Sequence, residues 1–296
     1  MELGMIGLGR MGANMAERVR RAGHTVIGYD VDADSNRDVA SLAELVQALS
    51  PPRAVWVMVP VKFVPVTVAE LGELLEPGDL VVDGGNSRWS DDAGTAAALD
   101  EGGIGFVDCG VSGGVWGLEN GYALMCGGTD DDIARLRPIF DALTPPGDDA
   151  GFVHAGPVGA GHFAKMVHNG IEYGMMQALA EGYELLTAAD IVTDPDECVR
   201  SWRDGTVIRS WLLDLLARSF DDAPGLTKIE DYAEDSGEGR WTVEAAIDNA
   251  VPISTISAAL FARFASRQQE SVAMKAVAAM RNQFGGHSVR RADGTD

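Results

Sequence analysis

Apolar and polar positions alternate in the first half of the chain at two different spacings. Short apolar runs of strand length occur at Leu3–Leu8, Thr25–Tyr29, Ala54–Val59, Leu80–Asp83 and Ile104–Asp108. Segments with helical spacing, such as Arg10–Ala22 and Phe63–Leu75, separate several of these runs. Strand–helix alternation of this kind predicts an α/β fold with a doubly wound parallel sheet, the Rossmann arrangement. A strand near Ala123–Cys126, a helix near Ile133–Leu143 and a strand near Phe152–Val153 would complete it.

The second half of the chain has a different pattern. The strand signal disappears after Gly161, and helical spacing continues almost to the end. A turn-rich stretch, Pro145–Gly151, precedes this change. The pattern therefore predicts an α/β domain over residues 1–156 and a smaller all-α domain over residues 157–296, joined by a long helix.

One stretch of the predicted long helix, Lys165–Met175, carries an unusual number of polar groups. Its polar residues follow Lys165 at offsets of three, four, seven and eight: His168, Asn169, Glu172 and Tyr173. This spacing places all five side chains on one stripe of a helix. A solvated helix face is the simplest alternative, but the apolar neighbours Met166, Val167 and Ile171 disfavour it. The stripe therefore suits a polar, charged substrate, with one base and one acid available for proton transfer.

A glycine-rich loop, GLGRMG, follows the first predicted strand and opens the first helix. Its glycines permit a tight turn and close approach of a pyrophosphate to the helix N-terminus. The predicted dinucleotide contacts are Gly7, Leu8, Gly9, Arg10, Met11 and Gly12. Asp30 ends the second strand, where an acid accepts hydrogen bonds from ribose hydroxyls, and Asp32 lies close by. Two carboxylates would repel a 2′-phosphate, so NAD is favoured, with NADP as the alternative cofactor.

Two further loops follow predicted strands at the edge where open α/β sheets bind ligands. DGGNS, Asp83–Ser87, follows the fourth strand, and CGVSGG, Cys109–Gly114, follows the fifth. Ordinary turn chemistry explains such sequences equally well. Their shared location at one edge of the sheet favours substrate binding.

The charge of the chain narrows the choice of partners. Its 296 residues include 45 acidic and 23 basic ones, which gives a formal net charge of −22. The acids are spread along the chain, a pattern that favours a halophilic protein whose self-repulsion is screened by salt, with an ordinary acidic enzyme as the alternative. In both cases the negative charge of the surface disfavours nucleic acids and anionic membranes as partners.

The remaining composition indicates a cytoplasmic protein. Three separated cysteines, Cys109, Cys126 and Cys198, fit neither a disulfide framework nor a zinc site, and no metal-ligand spacing occurs elsewhere. No leader precedes the first strand, and no apolar run approaches the ~18 residues of a membrane span.

Several motifs together resemble the decarboxylating 6-phosphogluconate dehydrogenases, within the β-hydroxyacid dehydrogenase superfamily. They are DGGNS, VSGG, GAGHFAKMVHNGIEYGMMQ, GRWT and the tail RNQFGGH. The similarity covers nearly the whole chain, whose length matches the short form of the family. The chain departs from the long form at Val115 and Trp116, where that form has paired acids.

The resemblance implies an activity, oxidative decarboxylation of 6-phosphogluconate to ribulose 5-phosphate in the pentose phosphate pathway. It implies that Lys165 is the general base for the C3 hydroxyl and that Glu172 is the general acid that protonates the enediol. Asn86 would touch both cofactor and substrate, and Met58, Val59 and Pro60 would contact the cofactor.

The resemblance also implies a set of substrate ligands. Ser112, Gly113, Gly114, His168 and Asn169 would hold the carboxylate and hydroxyls, and Tyr173, Arg263 and Arg281 the 6-phosphate. His287 would enter the site of a neighbouring subunit, which implies a homodimer or homotetramer with tail exchange. A phosphate-binding Lys and Thr of the long form are missing: Glu238 stands where the Thr would be, and Arg240 is a candidate substitute.

Two alternative functions are also compatible with the sequence. A non-decarboxylating dehydrogenase or reductase of a small β-hydroxyacid would share the glycine loop and Lys165 but would not need Arg281 and His287. A non-catalytic nucleotide-binding protein would tolerate the loss of Lys165 and Glu172.

Overall fold

The computed structural model describes residues 1–147 and 150–290. It contains a seven-stranded sheet with the order β2-β1-β3-β4-β5-β6-β7. The strands are β1 (Glu2–Ile6), β2 (Thr25–Tyr29), β3 (Ala54–Val57), β4 (Leu80–Asp83), β5 (Gly105–Ser112), β6 (Ala123–Gly127) and β7 (Phe152–Gly156). The chain moves from β1 outward to β2 and then returns to β3 on the other side of β1. The crevice where this reversal occurs, between β1 and β3, is where doubly wound sheets bind ligands.

The predicted sheet is confirmed, with one difference in strand direction. Strands β1 to β5 are parallel, whereas β6 is antiparallel to β5 and β7 is parallel to β6. Only residues 113–122 connect β5 to β6. A parallel crossover needs about a dozen residues or more, so this connection returns the chain in the opposite direction.

The segment Cys109–Ser112, which the sequence predicts as loop, is instead the second half of β5. It pairs in antiparallel register with β6, for example Cys109 with Cys126 and Ser112 with Ala123. The sequence pattern did not reveal this extension because its glycine and serine are also typical of turns.

Helices cover both faces of the sheet. They are α1 (Arg10–Arg21), α2 (Leu42–Ala48), α3 (Val64–Leu74), α4 (Trp89–Asp100), α5 (Gly117–Asn120) and α6 (Asp130–Leu143). Adjacent residues of β3 and β4 pack on opposite faces: Trp56 and Val82 belong to one buried cluster, and Val55, Val57 and Val81 to the other. Strands buried on both faces explain the uninterrupted apolar runs in the sequence.

The helical second half is also confirmed. Its helices are α7 (Ala160–Ala188), α8 (Pro195–Ser201), α9 (Trp211–Asp222), α10 (Glu238–Asp248), α11 (Ser254–Ser266) and α12 (Val272–Gly285). One buried cluster contains Tyr183 and Phe220, and another contains Tyr173 and Leu260. None of the helices within the described residues is long and apolar enough to cross a membrane.

Two compact units divide the chain within α7. The first comprises Met1–Gly170, and the second begins at Ile171. The predicted domains, 1–156 and 157–296, differ in assigning all of α7 to the second domain, and this boundary stays a prediction. Within the predicted break at Pro145–Gly151, residues 148 and 149 lie outside the described residues.

Candidate active site

The glycine loop connects β1 to α1 in a conformation that requires glycine at two positions. Gly7 has φ +89°, the left-handed region that other residues rarely adopt. A side chain at Gly12 would overlap the carbonyl oxygen of Gly7. By contrast, no atom lies within 4 Å of the place where a Cβ of Gly9 would be. The loop is therefore tightly closed on the protein side and open at Gly9, as a cradle for a pyrophosphate would be.

A groove of about 440 Å³ lies beside this loop, at the reversal between β1 and β3. Its lining includes Gly7, Gly9 and Asp30, and it also includes the predicted cofactor contacts after β3: Met58, Val59 and Pro60. The Asp30 carboxylate accepts a hydrogen bond from the backbone N–H of Leu8 at 2.6 Å. This hydrogen bond joins the end of β2 to the glycine loop and fixes the predicted ribose-binding acid beside that loop.

Three other predicted cofactor residues have different surroundings. Asp32 is not part of the groove lining, and its carboxylate accepts the N–H of Asp34 within an exposed turn. Arg10 is exposed at the start of α1, and Met11 packs against the core. Arg37 donates to the carbonyl oxygen of Asp30 at 3.2 Å, which brings a cation closer to the groove than sequence separation indicates.

Lys165 is the centre of a hydrogen-bonded chain in the first unit. Its side chain is buried, and Nζ donates to Oδ1 of Asn169 at 2.6 Å. His168 Nδ1 lies 3.0 Å from the same oxygen, and its Nε2 lies 3.4 Å from Ser112 Oγ. Because Asn169 Oδ1 is an acceptor, His168 Nδ1 is the donor in this contact. The structure therefore brings together four predicted site residues at the contact of β5 with α7.

Glycines allow α7 to lie directly on the sheet. A Cβ at Gly161 would approach the carbonyl oxygen of Asp108 at 2.7 Å. A Cβ at Gly110 would overlap Cβ of Lys165 and approach its Cγ at 2.8 Å. The stem of Lys165 is therefore held against the backbone of β5, which fixes where its amine projects.

Replacing Gly110 with alanine should displace Lys165 because the added methyl group overlaps a Cβ atom that the helix backbone holds in place. We expect kcat to fall by about tenfold or more, since a displacement of ~1 Å at a reacting group costs up to ~100-fold. Overpacking should also lower the free energy of unfolding by about 1–3 kcal/mol. Steady-state kinetics and denaturant unfolding measure both.

Gly94→Ala is the matched control, because Gly94 is exposed within α4 and a Cβ there meets no atom within 4 Å. Its kcat should remain within twofold of the wild-type value. Wild-type kcat in Gly110→Ala would show that the position of Lys165 is unimportant.

The loop after β4 carries Asn86 in a fixed conformation. Asp83 accepts from the N–H of Gly85 at 2.9 Å and from Ser87 Oγ at 2.7 Å, on either side of Asn86. Asn86 itself is half-buried. A buried carboxylate therefore sets the shape of the loop, and Asn86 lies between its two anchors.

The loop after β5 contains the other two predicted glycines. Gly113 has φ +143°, and a Cβ there would approach the Tyr122 ring at 3.0 Å. Gly114 has φ +54° with no atom near its Cβ position. The loop is thus supported from beneath by a buried tyrosine, while Gly114 leaves an open approach to the backbone.

The second unit holds a separate cluster around Tyr173. The Tyr173 hydroxyl accepts from the N–H of Ser236 at 3.0 Å. The Arg263 guanidinium lies over the Tyr173 ring, 3.5 Å from its centre, and also donates to the carbonyl oxygen of Glu234. Tyr173 and Arg263, both predicted phosphate ligands, are therefore in contact with each other.

Two more arginines of this unit pair with the carboxylate of Asp235. Arg240 Nε and Arg267 Nη1 contact the Asp235 carboxylate at 2.6 and 2.8 Å. Hydrogen bonds from Arg240 and then Arg267 lower the pKa of Asp235 to about 2. Glu238, which occupies the place of the missing threonine, is buried at the start of α10.

The structure does not place the predicted tail ligands in this cluster. Arg281 is exposed on α12, and His287 is exposed after it, with Phe284 beside its ring. Among the described residues, no contact joins either of them to Tyr173 or Arg263. Glu172 is half-buried on α7, seven residues after Lys165.

One group of buried charges in the first unit has no recognisable pattern in the sequence. Asp92 of α4 and His162 of α7 form an ion pair of 2.9 Å beside Asp83 and Asp108. Asp108 ends a predicted strand, and His162 precedes Lys165 by one turn, but nothing in their spacing indicates contact with Asp92. Only the folded chain brings these residues together.

Two family models match the chain, one after the other. Residues 2–156 match the NAD-binding domain of 6-phosphogluconate dehydrogenase, and residues 161–283 match the C-terminal domain of the same enzyme. Together they cover the sheet and most of the helical half.

Individual relatives agree with these matches. An NAD(+)-dependent, decarboxylating 6-phosphogluconate dehydrogenase of Haloferax volcanii is 39% identical over 99% of this chain and 100% of its own length. A longer enzyme of Bacillus subtilis with the same name is 37% identical, and the match covers 90% of this chain and 62% of that protein.

A solved structure shows the same relationship. Plasmodium falciparum 6-phosphogluconate dehydrogenase, studied as apo form and with NADP+ or 6-phosphogluconate, matches with a TM-score of 0.80 and 26% identity. The match covers 100% of this chain and 67% of that one. Both domains, the relatives and the fold agree, and the chain therefore belongs to the 6-phosphogluconate dehydrogenase family.

Proposed function

We propose that this chain converts 6-phosphogluconate to ribulose 5-phosphate and CO₂ while reducing a nicotinamide cofactor, with NAD preferred. The observation that carries the proposal is the buried Lys165, hydrogen-bonded to Asn169 and packed against β5 beside the Ser112–Gly114 loop. This arrangement supplies a base next to groups suited to a carboxylate and hydroxyls. Membership of the family over both halves of the chain supports the same reaction.

The groove beside the glycine loop fits a dinucleotide. Gly7 and Gly12 close the turn, Gly9 leaves space for a pyrophosphate, and Asp30 presents a carboxylate at the end of β2. When bound, the nicotinamide supplies the acceptor for a hydride. Met58–Pro60 would form the opposite wall of the groove, and Asn86 would lie toward the reacting end.

Lys165 acts first in the proposed mechanism. Its neutral amine takes the proton of the C3 hydroxyl while the C3 hydride leaves, which produces a 3-keto acid. The bond between C1 and C2 then breaks and CO₂ leaves. The electron pair of this bond forms a C2–C3 double bond, and the C3 ketone oxygen takes back the proton held by Lys165, which gives an enediol and a neutral Lys165. Asn169 and His168 orient Lys165 and, with Ser112, hold the substrate hydroxyls and carboxylate.

Glu172 acts second. It donates a proton to the enediol carbon that carried the lost carboxylate, while neutral Lys165 takes the proton of the C3 hydroxyl, which gives ribulose 5-phosphate. On the second unit, Tyr173 and Arg263 are the proposed ligands of the 6-phosphate, because a guanidinium fork matches phosphate geometry. Arg240 donates hydrogen bonds to Asp235. Ser236 and the backbone of its loop, which contact Tyr173, are therefore better candidates to bind the phosphate in place of the missing lysine.

The exposed tail residues favour a proposal about assembly. Arg281 and His287 lie on and after α12, a helix with no buried residue among its described positions. We infer that they complete the site of a neighbouring subunit, in a homodimer or homotetramer, as family resemblance implies. We infer a cytoplasmic location as well.

Replacing Asp30 with asparagine should shift cofactor preference toward NADP. Asparagine still accepts the Leu8 N–H through Oδ1, but it loses the hydrogen bond from the Asp32 N–H and the charge that holds ribose hydroxyls and repels a 2′-phosphate. A hydrogen bond to a charged group contributes ~1.5–3 kcal/mol. We therefore expect kcat/KM for NAD to fall by about tenfold to a hundredfold. The ratio of kcat/KM with NADP to kcat/KM with NAD (the NADP/NAD ratio) should rise.

Asp34→Asn removes one charge from the same exposed turn without contacting the groove, and it should leave the ratio unchanged. An unaltered NADP/NAD ratio in Asp30→Asn would show that Asp30 does not select the cofactor.

A substrate comparison tests the proposed function. The purified chain would be assayed in high salt with 6-phosphogluconate, gluconate and a small β-hydroxyacid, each with NAD and with NADP. Reduction with 6-phosphogluconate only, and faster with NAD, is the expected result. Reduction with the small β-hydroxyacid instead would favour a plain dehydrogenase, and no reduction with any substrate would favour a nucleotide-binding protein.

A further inference from the structure

Four ionisable side chains are buried together beneath the loop that carries Asn86 (residues 84–88), called the Asn86 loop below. Asp83 ends β4, Asp92 lies in the first turns of α4, Asp108 lies in β5, and His162 lies in the first turn of α7. Each is at most 2% exposed. Charged side chains are almost never buried to this extent unless they are paired.

His162 is the cation of this group. Its Nδ1 lies 2.9 Å from Asp92 Oδ2, and both side chains are buried. Atoms of Asp83, Asp92 and His162 lie within 4.8 Å of one another. Burial alone would lower the pKa of His162, but the hydrogen bond to Asp92 and the charges of Asp83, Asp92 and Asp108 raise it to about 9.

Asp92 remains ionised at neutral pH. Burial raises its pKa to about 6, and the hydrogen bond from His162 opposes a larger rise. The raised pKa of His162 and the hydrogen bond that holds down the pKa of Asp92 both favour the imidazolium–carboxylate form of the pair. Lys165, one turn further along α7, is a basic side chain near this group, and its amine donates to Asn169.

Each of the other two carboxylates holds a different part of the site. Asp83 accepts from Gly85 and Ser87 and thereby shapes the Asn86 loop. Asp108 accepts from the N–H groups of Gly159 at 2.7 Å and His162 at 2.8 Å, at the N-terminus of α7. The cluster therefore connects the loop of Asn86 to the helical turn that precedes Lys165.

We propose that the His162–Asp92 pair has a positioning role. It holds the Asn86 loop against the first turn of α7 and thereby fixes the positions of Asn86 and Lys165 relative to each other. The pair touches neither substrate nor cofactor, and it acts through these two residues. Without a buried cation, three carboxylates would face one another in a water-poor environment, and the loop and helix would separate. The kinetic part of this inference rests on the proposed function.

Asp92→Asn tests the proposal with the least disturbance. Asparagine has nearly the same shape and can accept from a neutral His162, so the variant should fold while the ionic lock is lost. We expect kcat with 6-phosphogluconate to fall by about tenfold to a hundredfold, because small misplacements of reacting groups are costly. The Kd of NAD, measured without substrate, should change far less than kcat, because the groove lining does not include Asn86.

Asp91→Asn is the matched control. Asp91 precedes Asp92 in the same turn of α4, is exposed, and contacts Ser90 rather than His162. Its kcat should stay within twofold of the wild-type value. His162→Gln and the double variant complete a cycle in which the double variant should lose no more kcat than Asp92→Asn alone.

The pH dependence of stability gives a second readout. The folded pKa of His162 lies above the unfolded value of about 6.5, so its contribution is present below that pH and is lost as pH rises through about 9. The Tm of the wild type should therefore fall between pH 6.5 and 9.5. This part of the fall should be absent in His162→Gln.

Hydrogen exchange measured by mass spectrometry separates this proposal from the proposed function. Peptides covering residues 83–88 and 157–166 should exchange faster in Asp92→Asn, and not in Asp91→Asn, even if the wild type does not act on 6-phosphogluconate. Unchanged exchange in both peptides would overturn the proposal. Wild-type kcat in Asp92→Asn, parallel loss of NAD affinity, or one tightly bound divalent metal ion per chain would also overturn it.

Discussion

Replacing Lys165 with methionine lowers kcat by about 10²- to 10⁴-fold, the range expected for loss of a general acid–base group. Methionine fills the space of the lysine stem against Gly110, so the packing of α7 on β5 is preserved. What disappears is the amine, and with it the hydrogen bond to Asn169. Without a proton acceptor at C3, hydride cannot leave at a useful rate. Stopped-flow measurement of cofactor reduction detects this directly, because the first turnover itself is slow.

The comparison variant for this substitution is Lys228→Met, which removes an exposed lysine of the second unit. It should reduce cofactor at the wild-type rate. Lys165→Met should still bind NAD with wild-type affinity, because the groove lining does not include Lys165. A variant that retains more than about a tenth of wild-type kcat would remove Lys165 from the role of base.

Replacing Glu172 with glutamine separates the two halves of the reaction. Glutamine has the same shape but cannot donate an acidic proton, so hydride transfer continues while protonation of the enediol slows by about 10²- to 10⁴-fold. Pre-steady-state kinetics should therefore show a burst of about one reduced cofactor per site, followed by slow turnover. The wild type should show no such contrast between phases.

Glu184→Gln, on an exposed position of the same helix, provides the reference for Glu172→Gln. It should leave both phases unchanged. Loss of the burst together with weaker NAD binding in Glu172→Gln would contradict the division of roles between Lys165 and Glu172.

Much of the fold follows from patterns that lie close together in the chain. The runs at Thr25–Tyr29 and Leu80–Asp83 are strands with the predicted bounds. The reversed direction of β6 and β7 was not predicted, because strand direction depends on the length of the connection and on pairing, and neither has an apolar signature. The second half of β5 was missed because its glycine and serine are also typical of turns.

The candidate site divides in a similar way. Lys165, His168 and Asn169 were predicted as one group because they lie within two turns of one helix, and the structure shows them hydrogen-bonded. The connection to Ser112 required the motif resemblance as well as the helix spacing. Local spacing is informative only where one regular element carries the residues.

The buried ion pair shows what sequence cannot supply. Asp92 and His162 are 70 positions apart and come from two different elements. A lone histidine next to a glycine in the sequence has no distinguishing pattern, and an acid early in a helix is most simply a favourable charge near its N-terminus. Only the sheet, which places α4 and α7 near the same strands, gives the two residues a common function.

The most direct test of the central claim follows the carbon that the reaction removes. With 6-phosphogluconate labelled at C1, the chain should release one labelled CO₂ for each cofactor reduced and form one unlabelled ribulose 5-phosphate. Cofactor reduction without labelled CO₂ would contradict oxidative decarboxylation and would make the chain a plain dehydrogenase of this substrate.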